Sequence, residues 1–133
     1  MPMKKCFYFL LVILIVAQFT GCGKKYEGDV DVDLTTMSGT MVYSYVADML
    51  ANPDNYKGKV VRMAGDSNTT HGGTHSCIIY DALGCCAEGM EYSLKDVDLD
   101  YPQDGDKITV VGKFATYKQN GNLHYTLIES QLE

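Results

Sequence analysis

From Lys59 onward the chain alternates apolar and polar residues with a period of two, a pattern that commits most of it to β-strands. Lys59 to Gly65 reads as a first strand, with Val61 and Met63 on one side and Arg62 on the other. Ser76 to Asp81 is a second, and Met90 to Leu94 a short third. Lys107 to Tyr117 is the longest, setting Ile108, Val110 and Phe114 against Thr109 and Lys113. Asn120-Gly121 then supplies a hairpin turn, and Leu123, Tyr125 and Leu127 mark a fifth strand. Gly65 and Gly112 fall inside strand patterns, where a closed sheet needs a bend or bulge.

One helix is predicted ahead of the strands. Val42, Val46, Met49 and Leu50 share one face, and Ser38 or Thr40 stands ready to cap the first turn. Asn52-Pro53 ends it, because the residue before proline is pushed out of the helical region. Tyr43 and Tyr45 fall off the apolar face and are expected at its rim. Upstream, Asp29 to Leu34 alternates acidic and apolar residues. It suits either an edge strand or a charged, extended linker, and the linker is the preferred reading.

The N-terminus carries a different signal. Lys4 and Lys5 precede a 12-residue apolar run from Cys6 to Ala17. That run fits the hydrophobic region of a secretory signal and is short of the about 20 residues a spanning helix needs. Phe19-Thr20-Gly21-Cys22 follows and resembles the lipobox of bacterial lipoproteins, with Phe19 where leucine is usual. The resemblance implies cleavage after residue 21, acylation of Cys22, and an extracytoplasmic protein anchored to the bacterial cell membrane through that lipid. The expected organisation is a signal peptide over 1–21, a lipidated cysteine and acidic tether over 22–36, and one domain over 37–133.

The 112 residues from Cys22 hold nine lysines and arginines against seventeen acidic residues, and nine minus seventeen gives a net charge of −8. Nucleic acid, whose binding draws on clustered Lys and Arg, is excluded as an expected partner. With Cys6 removed and Cys22 acylated, Cys77, Cys85 and Cys86 remain. An odd number outside the cell leaves at least one thiol free, metal-bound or paired between molecules.

Five short strands at this spacing fit a mainly β, α+β domain: a small OB-like Greek-key barrel with one N-terminal helix. Asn52 to Val61 and Gly105 to Gly112 resemble segments of such barrels in exported bacterial proteins. Here the helix precedes the first strand, and only the polar stretch Lys95 to Gly105 joins strands three and four. Gly58-Lys59-x-Val61 followed by Cys85-Cys86-Ala87-Glu88-Gly89 is similar to an uncharacterised family, the extracytoplasmic domain of accessory proteins that accompany membrane permeases and carry a Cys-Cys-Ala-acidic motif. That likeness covers roughly residues 52–115 and implies a site at the cysteines and a membrane permease as partner. The chain lacks the multi-helix membrane half of those accessories.

Thiolates and imidazoles are the ligands Zn²⁺ prefers, which makes His71, His75, Cys77, Cys85 and Cys86 the candidate metal or thiol site, with Glu88 and His124 as weaker members. Strand geometry divides them. A rise of about 3.3 Å per residue puts the two loops flanking strand two roughly 13 Å apart. His71, His75 and Cys77 then form one cluster, which His124 can join, and Cys85 and Cys86 with Glu88 form another. Each has a plainer reading: solvated loop histidines, a buried Cys77, an exposed His124, and a neighbouring thiol pair that is structural or closes a strained, reducible disulfide.

Three functions follow. The first is a tethered binding module for a transition metal such as Zn²⁺. The second is a protein-interaction accessory subunit of a membrane transporter, holding its partner on the open barrel face, where tyrosines such as Tyr80, Tyr92 and Tyr125 suit an interface. The third, a thiol redox protein, ranks last because no Cys-x-x-Cys is present. No Ser/His/Asp set, paired-carboxylate motif or phosphate loop stands out, so an enzyme is not expected.

Overall fold

The computed structural model describes residues 24–133. Cys22 and the expected signal segment lie outside the described residues. The described residues form six strands: β1 (Val32–Asp33), β2 (Val60–Thr69), β3 (His75–Tyr80), β4 (Ala87–Leu94), β5 (Lys107–Gln119) and β6 (Asn122–Leu132). One helix, α1 (Gly39–Ala51), lies between β1 and β2. The protein is mainly β, and no helix among the described residues is long and apolar enough to cross a membrane.

The sheet is mixed, in the order β1-β2-β3-β4-β6-β5, and β5 also pairs with β2. Five strands therefore bond in a ring. All ring pairings are antiparallel except β4–β6, which is parallel. One strand, β2, serves two neighbours: Val60 to Asp66 pairs with β5, and Asp66 to Thr69 pairs with β3. The handover falls at Asp66, next to Gly65, where an added Cβ would lie 2.9 Å from Cys77 Sγ and 3.0 Å from the Ile78 carbonyl carbon. Absence of a side chain lets β3 cross this closely. Gly112 is equally enclosed, with Leu127 Cβ 2.9 Å from a Cβ there, and the β5–β6 register shifts between Val111 and Lys113.

Alternation directs Val61, Met63, Cys77, Met90, Val110, Phe114 and Leu127 inward, and all are buried. Val46 and Met49 of α1 complete that core, with Val42 and Leu50 packed beside them. Ser38 holds the N-cap position through its backbone, its carbonyl accepting from Val42 N at 2.9 Å; its side chain makes no cap bond, and Thr40 lies inside the first turn. Pro53 ends the helix as its position requires. Tyr43 and Tyr45 lie at the rim of that face as expected: both are half-buried against the core, and Tyr45 meets the Tyr56 ring edge-on at 5.8 Å. The apolar stripe of α1 is wider than the four residues read from sequence.

The hairpin at Asn120-Gly121 forms as expected, with φ of 52° and 82° and Gln119 opposite Asn122. Positive φ at both central residues is the geometry that matches strand twist in a two-residue loop.

The preferred linker reading of Asp29 to Leu34 does not hold. Val32 and Leu34 are buried, and β1 runs parallel to β2 with Val32 opposite Val61. Burial of the apolar half of the alternation outweighs solvation of the acidic half. Asp31 N donates to Val60 O at 2.9 Å, and its carboxylate accepts from Val60 N at 2.8 Å. Further upstream, Tyr26 N donates to Glu133 Oε1 at 2.7 Å, and Gln131 Nε2 donates to the Lys24 carbonyl at 2.9 Å. Arg62 joins these pieces, bonding Glu133 through Nε and Nη2 at 3.0 and 3.1 Å and Asp33 through Nη1 at 2.9 Å. Its hydrogen bonds, Thr35 first and Arg62 second, outweigh burial and hold the Asp33 carboxyl below its ordinary value; Arg62 does the same for Glu133.

Candidate metal-binding turn

β3 ends at Tyr80 and β4 begins at Ala87, so Asp81 to Cys86 must reverse the chain. Two backbone bonds close the turn: Asp81 N donates to Cys86 O at 2.9 Å, and Gly84 N donates to Asp81 O at 3.0 Å. Gly84 has φ of 70°, a left-handed conformation that a side chain would strain. The Asp81 carboxylate then folds over the turn. Its Oδ1 accepts from Cys85 N at 2.9 Å and from Cys86 N at 3.4 Å, and its Oδ2 accepts from the Cys85 thiol at 3.1 Å. Asp81 is thus an aspartate-turn residue that orders the cysteines after it.

The result is a compact donor set. Cys85 Sγ and Cys86 Sγ are 3.7 Å apart, and one ligand atom from each of Asp81, Cys85 and Cys86 lies within 4.8 Å of the others. Among the described residues this is the one such group of three. Both cysteines are exposed. Hydrogen bonding to the Asp81 carboxylate, then to Cys86, raises the Cys85 thiol pKa, while the Cys85 thiol lowers that of Asp81. A carboxylate beside a thiol penalises a bare thiolate, which is the wrong arrangement for a reactive nucleophile. A cation reverses that penalty, because it is attracted by every donor at once. Two sulfurs and an oxygen leave a tetrahedral ion one position open to solvent or to a fourth donor.

Tyr43 overlooks the turn from α1. Burial raises its hydroxyl pKa, and the negative charges of Glu88, Cys86, Asp81 and Cys85 add to the effect. Glu88 is therefore near the cluster as expected, although it is not one of the three converging donors.

The other candidates lie elsewhere. Cys77 is fully buried in the core, where burial pushes its thiol up to about 12. His71 is exposed in the β2–β3 turn, at the end of β3 remote from the cysteine pair. His75 bonds Thr69 Oγ1 through Nδ1 at 3.1 Å and stacks on Tyr101 with centroids 3.6 Å apart. His124 is half-buried, accepts or donates at Glu91 Oε1 through Nδ1 at 3.0 Å, and stacks on Tyr117. The cluster of His71, His75, Cys77 and His124 is therefore not assembled: Cys77 points into the core, and each of the two inner histidines is engaged by its own tyrosine. Asp81 and Tyr43 were missed by the sequence reading. The spacing Asp81-x-x-Gly84-Cys85-Cys86 carried a local signal for the first; nothing local marks Tyr43.

No family model, no curated protein and no solved structure matches this chain.

Proposed function

We propose that this protein is an extracytoplasmic, membrane-tethered binding module that holds a thiophilic divalent cation such as Zn²⁺ at Asp81, Cys85 and Cys86. The carrying observation is the convergence of two sulfurs and a carboxylate oxygen within 4.8 Å. The tether is a lipid on Cys22, a reading that rests on the short apolar run and the cysteine after it. The scaffold is an OB-like Greek-key barrel, a reading supported by the five-strand ring, its single parallel pairing and the double duty of β2. In this arrangement β3 and β4 act as a stiff fork that presents the turn to solvent.

Zinc requires both thiols as thiolates, so loading releases protons and weakens as pH falls. Equilibrium dialysis of protein purified without chelator is expected to give about one zinc per chain at neutral pH. Cys85→Ser with Cys86→Ser abolishes it, and Asp81→Asn weakens it. Zinc uptake unchanged by the double serine variant removes the proposal.

A second reading, an accessory subunit docking on a membrane permease, is favoured by one feature of the same turn: Leu83 at its tip is 87% exposed and Tyr80 is 49% exposed. Apolar side chains held out by an ordered hairpin suit an anchor for a partner. A photocrosslinker at position 83 is expected to yield an adduct with a membrane permease in intact cells; recovery of the uncrosslinked monomer alone counts against it.

A further inference from the structure

A recess of about 370 Å³ lies away from the cysteine turn, on the sheet surface formed by β4, β5 and β6 and bounded by the β2–β3 turn. Its walls include His75, Glu91, Tyr101, Tyr117, Thr126 and Ile128. Register explains the assembly: Glu91 lies opposite Thr126 in the β4–β6 pair, and Thr126 opposite Ala115 in the β5–β6 pair, so one outward row crosses three strands.

Two stacked pairs flank this row, His75 on Tyr101 and His124 on Tyr117, with centroids 3.6 and 4.9 Å apart. Stacking fixes each tyrosine ring in place, and both Tyr101 and Tyr117 line the recess. Between the pairs stands Glu91, whose oxygens take a bond from Tyr117 Oη at 2.5 Å and one with His124 Nδ1 at 3.0 Å. These bonds orient the carboxylate, and each oxygen keeps acceptor capacity beyond them. Glu91 is the one acidic side chain in the recess, and among the described residues no lysine or arginine lines it. The connection that supplies Tyr101 adds Asp96, Asp98, Asp100, Asp104 and Asp106 against Lys95 alone.

The geometry points to a binding site for a small organic ammonium ion in this recess, its cationic head against Glu91 and the tyrosine rings that line it. Aromatic faces carry negative charge density and attract alkylated ammonium groups, and a fixed carboxylate supplies the counter-charge. An anion is repelled by the same groups. A neutral sugar would use the rings but gain nothing from the charge. This site is independent of the metal reading, shares no residue with it, and needs no ion at the cysteines.

The test uses choline as probe, with 3,3-dimethyl-1-butanol as its uncharged isostere, in equilibrium dialysis against the full protein in detergent. Choline is expected to bind at least tenfold more tightly than the isostere and to weaken with added salt. Glu91→Gln keeps the shape of the row, with the new amide nitrogen donating in place of one acceptor oxygen, and is expected to lower choline affinity about tenfold. Ser93→Lys, an exposed position on the recess wall, places a competing cation there and is expected to abolish binding even if Glu91→Gln perturbs folding. Equal binding of choline and its isostere, choline binding indifferent to both variants, or binding of maltotriose in place of choline overturns the inference. So does absence of choline binding at 10-fold the protein concentration needed to detect a millimolar site.

Discussion

Replacing Gly65 by alanine tests the crossing on which the ring of strands depends. The backbone at Gly65 has an ordinary extended conformation, so alanine adds no dihedral strain and its effect is purely steric. The new Cβ would sit 2.9 Å from Cys77 Sγ, 3.0 Å from the Ile78 carbonyl carbon and closer still to its oxygen, where ordinary contact begins at 3.4 Å. Cys77 is buried and Ile78 O belongs to the backbone of β3, so relief requires β3 to move as a unit. Overpacking of a core costs about 1–3 kcal/mol, and an obstruction made of backbone places this change near 3 kcal/mol. With a urea slope of about 1.2 kcal/mol per molar, the unfolding midpoint falls by about 2.5 M. The chain has no tryptophan, so far-UV circular dichroism and tyrosine fluorescence follow the transition, with reductant present to keep the thiols free. Gly39→Ala serves as the control: nothing lies within 4 Å of a Cβ at that position, and its midpoint is expected to stay level or rise slightly. A Gly65→Ala protein that unfolds within about 0.5 kcal/mol of wild type would refute the close crossing.

Two further predictions concern titration and thiol chemistry. Asp33 and Glu133 ionise more readily in the folded protein than their ordinary values of 3.8 and 4.5, so their contribution is present at neutral pH, begins to fade as pH drops toward those values and is lost below the folded ones. Urea midpoints at pH 7 and pH 3 are therefore expected to differ more in wild type than in Arg62→Met; an equal or larger difference in the variant would contradict the Arg62 clamp. Ellman's reagent at pH 8 is expected to modify the exposed Cys85 and Cys86 in the folded protein and Cys77 only after denaturant is added, because Cys77 is buried and its thiol is pushed up to about 12. Fast modification of all three thiols without denaturant would show that the core is not closed around Cys77.

What could be read from the sequence was local. Lys107 to Tyr117 and the Asn120-Gly121 turn carry their structure in near-neighbour chemistry, and the observed β5 and its hairpin follow them closely. Val46 and Met49 likewise announce the buried face of α1. What escaped depends on distant partners. Asp29 to Leu34 fits a linker and a strand equally well until β2 is there to accept it, about 29 residues on. The β4 strand starts at Ala87, three residues ahead of the apolar pattern, because pairing with Tyr80 rather than side-chain alternation fixes its beginning. In the Asp81–Cys86 turn the sulfurs were legible as candidate ligands by residue type, whereas Asp81 enters through its hold on two backbone amides. The recess was invisible for the same reason: His75 and Tyr101 become a stacked pair only when the long β4–β5 connection folds back on the β2–β3 hairpin.

The clamp on Tyr26 bears on how such a domain would stand at a lipid surface. Tyr26 follows Cys22 by four positions, and four fully stretched residue steps reach about 14 Å. For a chain acylated at Cys22, the body would be moored short, like a boat tied close to the quay, with Glu133 and Arg62 on its landward side. A tag fused after Glu133 would then be crowded by headgroups, whereas a label on the exposed tip at Leu83 is attached to a different end of the strands.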